Sequence, residues 1–406
     1  MTAVAVATAL ETSALMQSSG FVDAVTIGAP AFIGDLLVGD AVAVTSFGGQ
    51  GVVNYPGGGG MAVIDQTLSQ QTAAAAAVRA LTFTSATVDI GAGLQTAYGV
   101  FGSAPAGSTP GVLLISSGQQ SSGGTDPLKL ASYQPTSVCA PGPTANAALL
   151  AQIATLSRGQ YYYAPTPSYM QTVLNQVRAQ QPGWTMALNK ANTVAPLSFW
   201  LQPVTLPANL AQAQFSVVWE NAALTFTTSP NPTPNQVSVT LVQPPGITVT
   251  PAPSAVGGGY CAFDLSTPVG GQWYVQVMYG GSAALPMTIG VFQRPAANAM
   301  LELLIEPTET PVAGRPLTLR LALAGAEGPV QVVAAVVEIV SPRHAGDVAA
   351  HEWRAYPLCF DDGLLATIAT PAAMAPGSVS VKAHLRGVGP AGPFETTRLI
   401  SVHVSG

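Results

Sequence analysis

The pattern of apolar and polar positions changes near residue 182. Before this point, continuous apolar runs such as 4–10 and 111–115 alternate with segments whose apolar residues recur at helical spacing, such as 18–37. Apolar runs of this kind are typical of parallel strands buried on both faces. The alternation predicts a doubly wound, Rossmann-like α/β domain over residues 1–182.

After Pro182-Gly183 the chain changes to short alternating segments separated by Pro, Gly and Asn. Segments 214–219 and 272–278 are examples, and strands at this spacing indicate an antiparallel sandwich over residues 183–297. A second unit of the same kind is predicted over 298–406. The fold class is therefore multidomain, with one α/β domain and two all-β sandwich domains. Four tryptophans are expected to pack in the sandwich cores: Trp200, Trp219, Trp273 and Trp353.

Charge is scarce and unevenly spread along the chain. Charged residues make up 8% of the 406 residues, far below the roughly 25% usual for soluble domains. They number 11 in residues 1–182, 4 in 183–297 and 17 in 298–406. Surfaces poor in Lys and Glu are typical of protein–protein contacts. An uncharged polar coat on a secreted protein is the alternative that the composition leaves open.

Charge and apolar run lengths also indicate which partners and which compartment to expect. The net charge is −6 and there is no basic run, which argues against nucleic-acid binding. No apolar run reaches the roughly 18 residues of a membrane helix, so no membrane span is expected. The first residues lack the positive region of a signal peptide. The compartment stays open, with an extracellular or cell-surface location favoured.

No catalytic motif is visible. The sequence has no C-x-x-C, H-E-x-x-H, G-x-S-x-G or P-loop pattern. The three cysteines, Cys139, Cys261 and Cys359, lie far apart, and buried thiols are the expected state. The glycine run 57–60 is interpreted as a surface loop. The protein is therefore predicted not to be an enzyme and to use no cofactor.

Four segments of the first 182 residues occur in a characteristic order: 38–47, 89–94, 112–118 and 159–163. Together they resemble a von Willebrand factor A domain. The domains that follow are similar in arrangement to bacterial proteins, and to calcium-activated chloride channel regulator-like proteins, in which such a domain precedes β-sandwiches. The resemblance implies a site at the carboxyl ends of the strands where three loops hold Mg²⁺ through oxygen ligands.

The ligand pattern of that site is damaged in this chain. The family's first loop reads D-x-S-x-S, whereas here it reads Glu11-Thr12-Ser13-Ala14-Leu15. The threonine position of the second loop is Val88, just before Asp89, and the aspartate position of the third loop is Ser117. Mg²⁺ needs near-octahedral oxygen ligands, so we expect no bound metal. A polar cleft is predicted instead, lined by Glu11, Ser13, Asp89, Ser116 and Ser117.

These observations favour a non-enzymatic structural or interaction protein. Its charge-poor α/β and first sandwich domains would make metal-independent contacts with protein partners, either other copies or a larger ordered assembly. The alternative is a metal-dependent adhesion receptor with altered ligands. The identity of the partner and the symmetry of any assembly are not encoded in a recognisable motif.

Overall fold

The computed structural model describes most of the chain. Among the described residues no helix is long and apolar enough to cross a membrane. The chain divides into two compact units: unit 1 comprises Met1–Val177 with Ser401–His403, and unit 2 comprises Arg178–Ile400 with Val404–Gly406. The described ranges are 3–249, 251–296, 301–325, 328–342, 351–357, 365–370 and 374–406.

Unit 1 alternates strands and helices. Its strands are β1 Val4–Glu11, β2 Ala41–Phe47, β3 Gly51–Tyr55, β4 Ala62–Val63, β5 Thr109–Ile115, β6 Thr136–Pro141 and β7 Tyr161–Ala164. Its helices are α1 Ala14–Ser18, α2 Val22–Gly34, α3 Ser69–Arg79, α4 Ile90–Gly99, α5 Ala147–Leu156 and α6 Pro167–Ala179, whose end crosses into unit 2.

The strands of unit 1 form one sheet in the order β3-β2-β1-β5-β6-β7, with β4 also paired to β2. Strands β2, β1, β5, β6 and β7 are parallel to their neighbours, and β3 and β4 run antiparallel to β2. Every residue of β1 and β2 is buried. Because successive side chains point to opposite faces, both faces of the sheet centre are covered. Unit 1 thus has the predicted doubly wound α/β fold.

One predicted helix is shorter than expected. The apolar spacing over 18–37 predicts a helix, and the structure has α2 over Val22–Gly34. Gly20, just before it, has φ +77°, a left-handed conformation that glycine adopts without steric cost. This turn separates α2 from the short helix α1, so α2 begins four residues after the predicted start.

In the described part of unit 2 the elements that follow the end of α6 are strands. They are β8 Thr185–Val194, β9 Phe199–Leu206, β10 Leu210–Trp219, β11 Thr225–Thr227, β12 Gln236–Gln243, β13 Ile247–Val249, β14 Ala255–Gly257, β15 Tyr260–Ser266, β16 Gly271–Tyr279, β17 Leu285–Pro295, β18 Glu302–Pro307, β19 Thr318–Ala324, β20 Gln331–Pro342, β21 His351–Pro357, β22 Leu365–Ala369, β23 Gly377–Gly389 and β24 Gly392–Val404.

These strands form three sheets. The largest has nine strands in the order β14-β15-β10-β17-β8-β24-β23-β20-β21. A five-stranded sheet has the order β11-β12-β16-β9 with β13 paired to β12, and a three-stranded sheet has the order β18-β19-β22. Side chains from β10 and β17 of the first sheet and from β12 and β16 of the second share one apolar core. The predicted sandwich architecture is thus present.

The tryptophan predictions hold where the structure describes the side chains. Trp219 is fully buried, and Trp273 and Trp200 are 2% and 8% exposed. The side chain of Trp353 lies outside the described set. Cys139 and Cys261 are buried, and burial raises the pKa of the Cys139 thiol. Cys359 lies outside the described residues.

The predicted boundary at residue 297 falls inside unit 2. Strand β8 lies beside β24 in the nine-stranded sheet, with Met186 opposite Thr397, so strands from 183–297 and 298–406 share one sheet. Alternation along a strand indicates which side chains face a core, but it does not indicate which distant strand lies alongside. The sequence pattern therefore gave no sign of this shared sheet.

A buried polar cluster lies at the junction between these two halves of unit 2. Glu395 is 1% exposed, and its Oε1 accepts hydrogen bonds from the Thr205 backbone N–H at 3.1 Å and from the Thr205 hydroxyl at 2.9 Å. Arg386 Nε lies 3.1 Å from the same oxygen. Burial raises the pKa of Glu395, and the charge of Arg386 opposes that rise. The cluster joins β9 to β23 and β24.

His384 is the second ionisable group of this cluster. The Thr397 hydroxyl donates to the Ala187 carbonyl at 3.0 Å, so it can only accept the proton of His384 Nδ1 at 2.9 Å. Nε2 then presents a lone pair to Glu395 Oε2 at 3.5 Å. Burial and the positive charges of Arg386, Lys382 and Lys190 lower the pKa of His384 to about 4. The negative charge of Glu338 acts in the opposite direction and only partly offsets this shift. The imidazole is therefore neutral at pH 7.

Replacing His384 with Asn should make the stability of unit 2 less sensitive to acid. The wild-type histidine binds a proton near pH 6.5 when unfolded but only near pH 4 when folded, so its contribution is present above pH 6.5 and is lost as the pH falls through this window. We expect a loss of up to about 3 kcal/mol. In His384→Asn the side-chain amide can still donate to Thr397, without titrating.

Denaturant unfolding at pH 7 and at pH 4.5 measures the difference. All five tryptophans lie between residues 184 and 353, so their fluorescence reports unit 2. The raised pKa of Glu395 acts in the opposite direction in both proteins, and comparing wild type with His384→Asn isolates the histidine. An equal pH dependence in the two proteins would contradict the assignment of a neutral His384.

Candidate functional site

The predicted site lies where two neighbouring parallel strands end. Glu11 is the last residue of β1, and Ser116 and Ser117 follow directly after β5. Leu10 of β1 lies opposite Ile115 of β5, so the two strands end side by side. The carboxyl ends of strands in an open α/β sheet are where ligands usually bind.

Glu11 occupies the centre of this site and is 1% exposed. The Ser116 hydroxyl donates to Glu11 Oε2 at 2.7 Å, and the Ser117 backbone N–H donates to the same oxygen at 2.7 Å. The Ser117 hydroxyl lies 2.9 Å from both carboxyl oxygens. The Ser13 hydroxyl donates to Oε1. Three serine hydroxyls and one backbone amide thus converge on a single carboxyl group.

Ser13 and Ser116 show how this arrangement shapes the backbone nearby. Ser13 precedes α1 with extended dihedral angles, the usual position of a helix-capping serine, yet its side chain makes no cap hydrogen bond. Its hydroxyl goes to Glu11 instead. The Ser116 hydroxyl also accepts the Gly118 N–H at 3.0 Å, which fixes the turn after β5. Glu11 therefore orders both the first and the third loop.

Asp89 has a separate role. Its Oδ1 accepts the Ala92 N–H at 2.9 Å and so caps α4 at the N-terminus, and its Oδ2 accepts the Thr125 N–H at 2.9 Å. The Gln120 side chain donates to Oδ1 at 3.4 Å. The structure thus joins Glu11, Ser13, Ser116 and Ser117 through hydrogen bonds. Asp89 instead contacts Gln120 and Thr125, in the loop that continues after Ser117.

Two of the altered positions carry apolar side chains with different surroundings. Val88 is 3% exposed, and only its backbone is used, since its N–H donates to the Ser121 hydroxyl at 2.9 Å. Leu15 lies on α1 and is 47% exposed. An apolar side chain therefore faces solvent at the position where the resemblance predicted a serine ligand.

The motif comparison did not identify Gln120 or Ser121, which complete the loop. Gln120 Oε1 accepts the Ile90 N–H at 2.7 Å, and the Ser121 N–H donates to the Val88 carbonyl at 2.8 Å. These bonds tie the third loop to the start of α4. Neither residue belongs to the metal-ligand pattern, and nothing in their sequence spacing indicated that they would meet Val88 and Asp89.

The residues present do not fit a magnesium ion. Mg²⁺ needs about six oxygen ligands in near-octahedral geometry. Two positions of the ligand pattern, Leu15 and Val88, supply no side-chain oxygen. Within the described residues no three His, Cys, Asp or Glu side chains are grouped closely enough to hold a metal ion.

The loops around the site are uncharged. Segments 12–20, 48–50, 85–88 and 116–125 contain no Asp, Glu, Lys or Arg. Glu11, the acidic group beneath them, is buried. The outer surface of the loops is formed by Gly, Ser, Thr, Gln and Ala residues, together with the exposed Leu15. It offers apolar contact and neutral hydrogen bonding, with no charge to bind a counter-ion.

No protein-family model and no curated protein matches the chain. Solved structures with a similar fold include a von Willebrand factor type A protein from Catenulispora acidiphila, at 16% identity and TM-score 0.41, covering 80% of this chain and 64% of that one. The ArnB paralog VWA2 from Sulfolobus acidocaldarius has 10% identity and TM-score 0.33, covering 100% and 67%. The pilus adhesin SpaC from Lactobacillus rhamnosus GG has 12% identity and TM-score 0.37, covering 99% and 54%. The chain thus spans just under two thirds of the first of these structures.

Replacing Glu11 with Ala should destabilise unit 1 strongly. The change leaves three buried hydroxyls and the Ser117 N–H without their acceptor, and we expect a loss of about 2–4 kcal/mol. Glu11→Gln keeps the size and one acceptor oxygen, so it should cost about 1–2 kcal/mol.

Far-UV circular dichroism during denaturant unfolding measures this loss, because the described helices all end before residue 180. Asp23→Asn is the matched control: Asp23 is an exposed acid in the first turn of α2, and its change should stay within about 0.5 kcal/mol. A Glu11→Ala protein as stable as this control would show that the carboxyl group does not hold the loops together.

Proposed function

We propose that the protein is a non-enzymatic interaction protein whose unit 1 binds other proteins without a divalent cation. The observation that carries the proposal is the hydrogen bonding of Glu11. In related domains the loop oxygens hold a metal ion, and the ion can then bind an acidic group of a partner. In this chain the corresponding serines donate to a carboxyl group of the protein itself. A carboxyl group at this position repels an acidic ligand instead of attracting it.

The surface above Glu11 supports a different kind of contact. It is formed by the four uncharged loop segments and carries Leu15, which is 47% exposed. Apolar burial and neutral hydrogen bonds would supply the binding energy. Such a contact should change little with salt concentration, because screening acts on charges.

Catalysis is not part of the proposal, because the serines at the site are poor candidates for nucleophiles. Ser13 and Ser116 are 1% and 0% exposed, and both donate their hydroxyl hydrogen to Glu11. The hydrogen bond that each of these two hydroxyls donates goes to the Glu11 carboxyl group, not to a histidine. A nucleophile needs access to its substrate and a base oriented toward it.

Unit 2 contributes to the same role. Residues 183–297 contain only four charged side chains, so most of this surface is neutral as well. Neutral surfaces on both units suit a subunit that contacts several neighbours in an ordered assembly. Charged rims, which usually keep soluble domains apart, are sparse here.

Calorimetric titration with Mg²⁺, Mn²⁺ and Ca²⁺ tests the metal-independent role. We expect no saturable heat from the wild-type protein at millimolar metal, because the site lacks enough free oxygen ligands. The control is the variant Glu11→Asp, Leu15→Ser, Val88→Thr, Ser117→Asp, which restores the ligand pattern of the related domains. It should bind at least one of the three ions.

The decisive comparison is between wild type and Glu11→Ala. Micromolar binding by the wild type that disappears in Glu11→Ala would overturn the proposal and favour a metal-dependent adhesion receptor with altered ligands. Circular dichroism of each variant before titration separates loss of the site from loss of the fold.

A further inference from the structure

Strand β9 forms one end of the five-stranded sheet of unit 2. In the described part of the chain β9 pairs with β16 along one edge, and no strand pairs with its other edge. Three apolar side chains are exposed here: Leu197, in the turn before β9, is 82% exposed, and Phe199 and Leu201 are 64% and 45% exposed. Phe199 and Leu201 point to the same face because they are two residues apart.

The direction of the backbone groups of β9 follows from two hydrogen bonds. The Ser198 carbonyl accepts the Tyr279 N–H at 3.2 Å. The backbone groups of this even-numbered residue therefore point toward β16. The Thr205 N–H donates to Glu395 Oε1, away from β16. Backbone groups alternate along a strand, so the N–H and C=O of the odd-numbered residues point to the open edge.

Most of this edge is already closed. Pro203 has no N–H, and its carbonyl accepts the Gln202 side-chain amide at 2.8 Å. The Thr205 N–H is taken by Glu395. Leu197 has φ +52° and so leaves the extended conformation. The open part of the edge is therefore limited to the backbone groups of Phe199 and Leu201, which we call the β9 edge.

Charge does not protect the β9 edge. Exposed strand edges in natural proteins are usually blocked by Lys, Glu, Pro or a bulge. None of β9, β11, β12, β13 or β16 contains a charged residue. On the face that carries Phe199 and Leu201, the neighbouring side chains on β16 are Met278 and Gln276. The edge and the adjoining sheet face are both neutral.

We propose that the β9 edge pairs with the β9 edge of a second copy of this chain, in antiparallel register about a two-fold axis beside Trp200. In this register Phe199 lies opposite Leu201 of the second copy, and Leu201 lies opposite its Phe199. Each pair exchanges two backbone hydrogen bonds, which gives four in all. The four apolar side chains meet on one face of the joined sheet.

Other two-fold registers satisfy fewer groups. An axis beside Phe199 places Leu201 opposite Leu197, which is not extended. An axis beside Leu201 places Phe199 opposite Pro203, which has no N–H and whose carbonyl already accepts a hydrogen bond. Each alternative leaves only two good hydrogen bonds. The position of Pro203 and the turn at Leu197 thus select the register centred on Trp200.

A second copy also fits the charge of this surface. The same neutral edge on the other copy brings no charge into the contact, so no ionic group loses its water without a partner. A charged side chain on a different partner strand would lose its water here, and this edge has no opposite charge to compensate for the loss. The contact is small compared with stable dimer interfaces of roughly 1,200–2,000 Å². We therefore expect a weak dimer that forms at micromolar to millimolar concentration.

This inference specifies one contact of the proposed assembly. Sedimentation equilibrium of the full chain over about 10 µM to 1 mM tests it. Wild type should show a dimer, and Leu201→Lys should weaken dimerisation at least 10-fold, because two lysines would lie close together at the edge. Val333→Lys is the matched control, since Val333 is 69% exposed elsewhere in unit 2, and it should dimerise like wild type.

Disulfide cross-linking tests the register. Phe199→Cys mixed with Leu201→Cys should cross-link several times faster than either variant alone, because only the mixed pair places the two cysteines directly opposite. Wild type gives the background from its native cysteines. Tryptophan fluorescence and circular dichroism check that each variant is folded.

Three outcomes would overturn the inference. The first is a wild-type chain that stays monomeric over the whole range. The second is a self-association that Leu201→Lys and Val333→Lys weaken equally, which would leave the proposed assembly role standing but remove the β9 edge from it. The third is a mixed pair of cysteine variants that cross-links no faster than each variant alone. The metal titration of unit 1 remains independent of all three.

Discussion

The arrangement of the site depends on one carboxyl group at the end of β1. Glu11 accepts hydrogen bonds from the hydroxyls of Ser13, Ser116 and Ser117 and from one backbone N–H, all within the protein interior. The loops that follow β1 and β5 thus share one acceptor, which keeps their buried polar groups satisfied away from water. The three serine hydroxyls thus serve as donors to a carboxyl group of the protein itself.

Glu11 occupies the centre of the site, so the binding properties of this region depend on the loop surface above it. The loops carry no charge, and Leu15 faces solvent. The same neutrality extends to the five-stranded sheet of unit 2, where β9 ends the sheet with Phe199 and Leu201 exposed. Charged side chains are more frequent in residues 298–406: Glu395, Arg386 and Lys382 lie on β23 and β24, and Glu306 and Arg320 are exposed on β18 and β19. The neutral surface of unit 2 is therefore that of residues 183–297.

Much of the fold could be predicted from the sequence. Apolar runs such as 4–10 and 111–115 indicated the buried parallel strands, because only strands covered on both faces have no polar alternation. The motif comparison also located Glu11, Ser13, Ser116 and Ser117 at one end of the sheet. This comparison identified which oxygen ligands of the metal site are replaced. It did not indicate that the side chain of Glu11, longer than the aspartate of the pattern, would accept hydrogen bonds from the serine hydroxyls. That depends on side-chain reach in three dimensions.

Other features needed the structure for the same reason. Asp89 precedes α4, a position from which an aspartate commonly caps a helix, yet its second oxygen binds Thr125, which is distant in sequence. The pairing of β8 with β24 joins residues more than 200 positions apart, and no local pattern encodes such a neighbour. Gly20 forms a turn that delays the start of α2 to Val22, four residues after the start that the apolar spacing predicted. Local spacing predicts elements well, but long-range pairing decides which of them meet.

The most direct measurement is anomalous diffraction from crystals of the full chain grown in millimolar MnCl₂. If Glu11 holds the loops together, no anomalous peak lies among Glu11, Ser13 and Ser117, and the serine oxygens stay at hydrogen-bond distance from the carboxyl group. A strong peak about 2.1 Å from oxygens of Glu11 and Ser13, with Ser117 turned toward it, would contradict this. An ion, and not a carboxyl group, would then be the centre of the site.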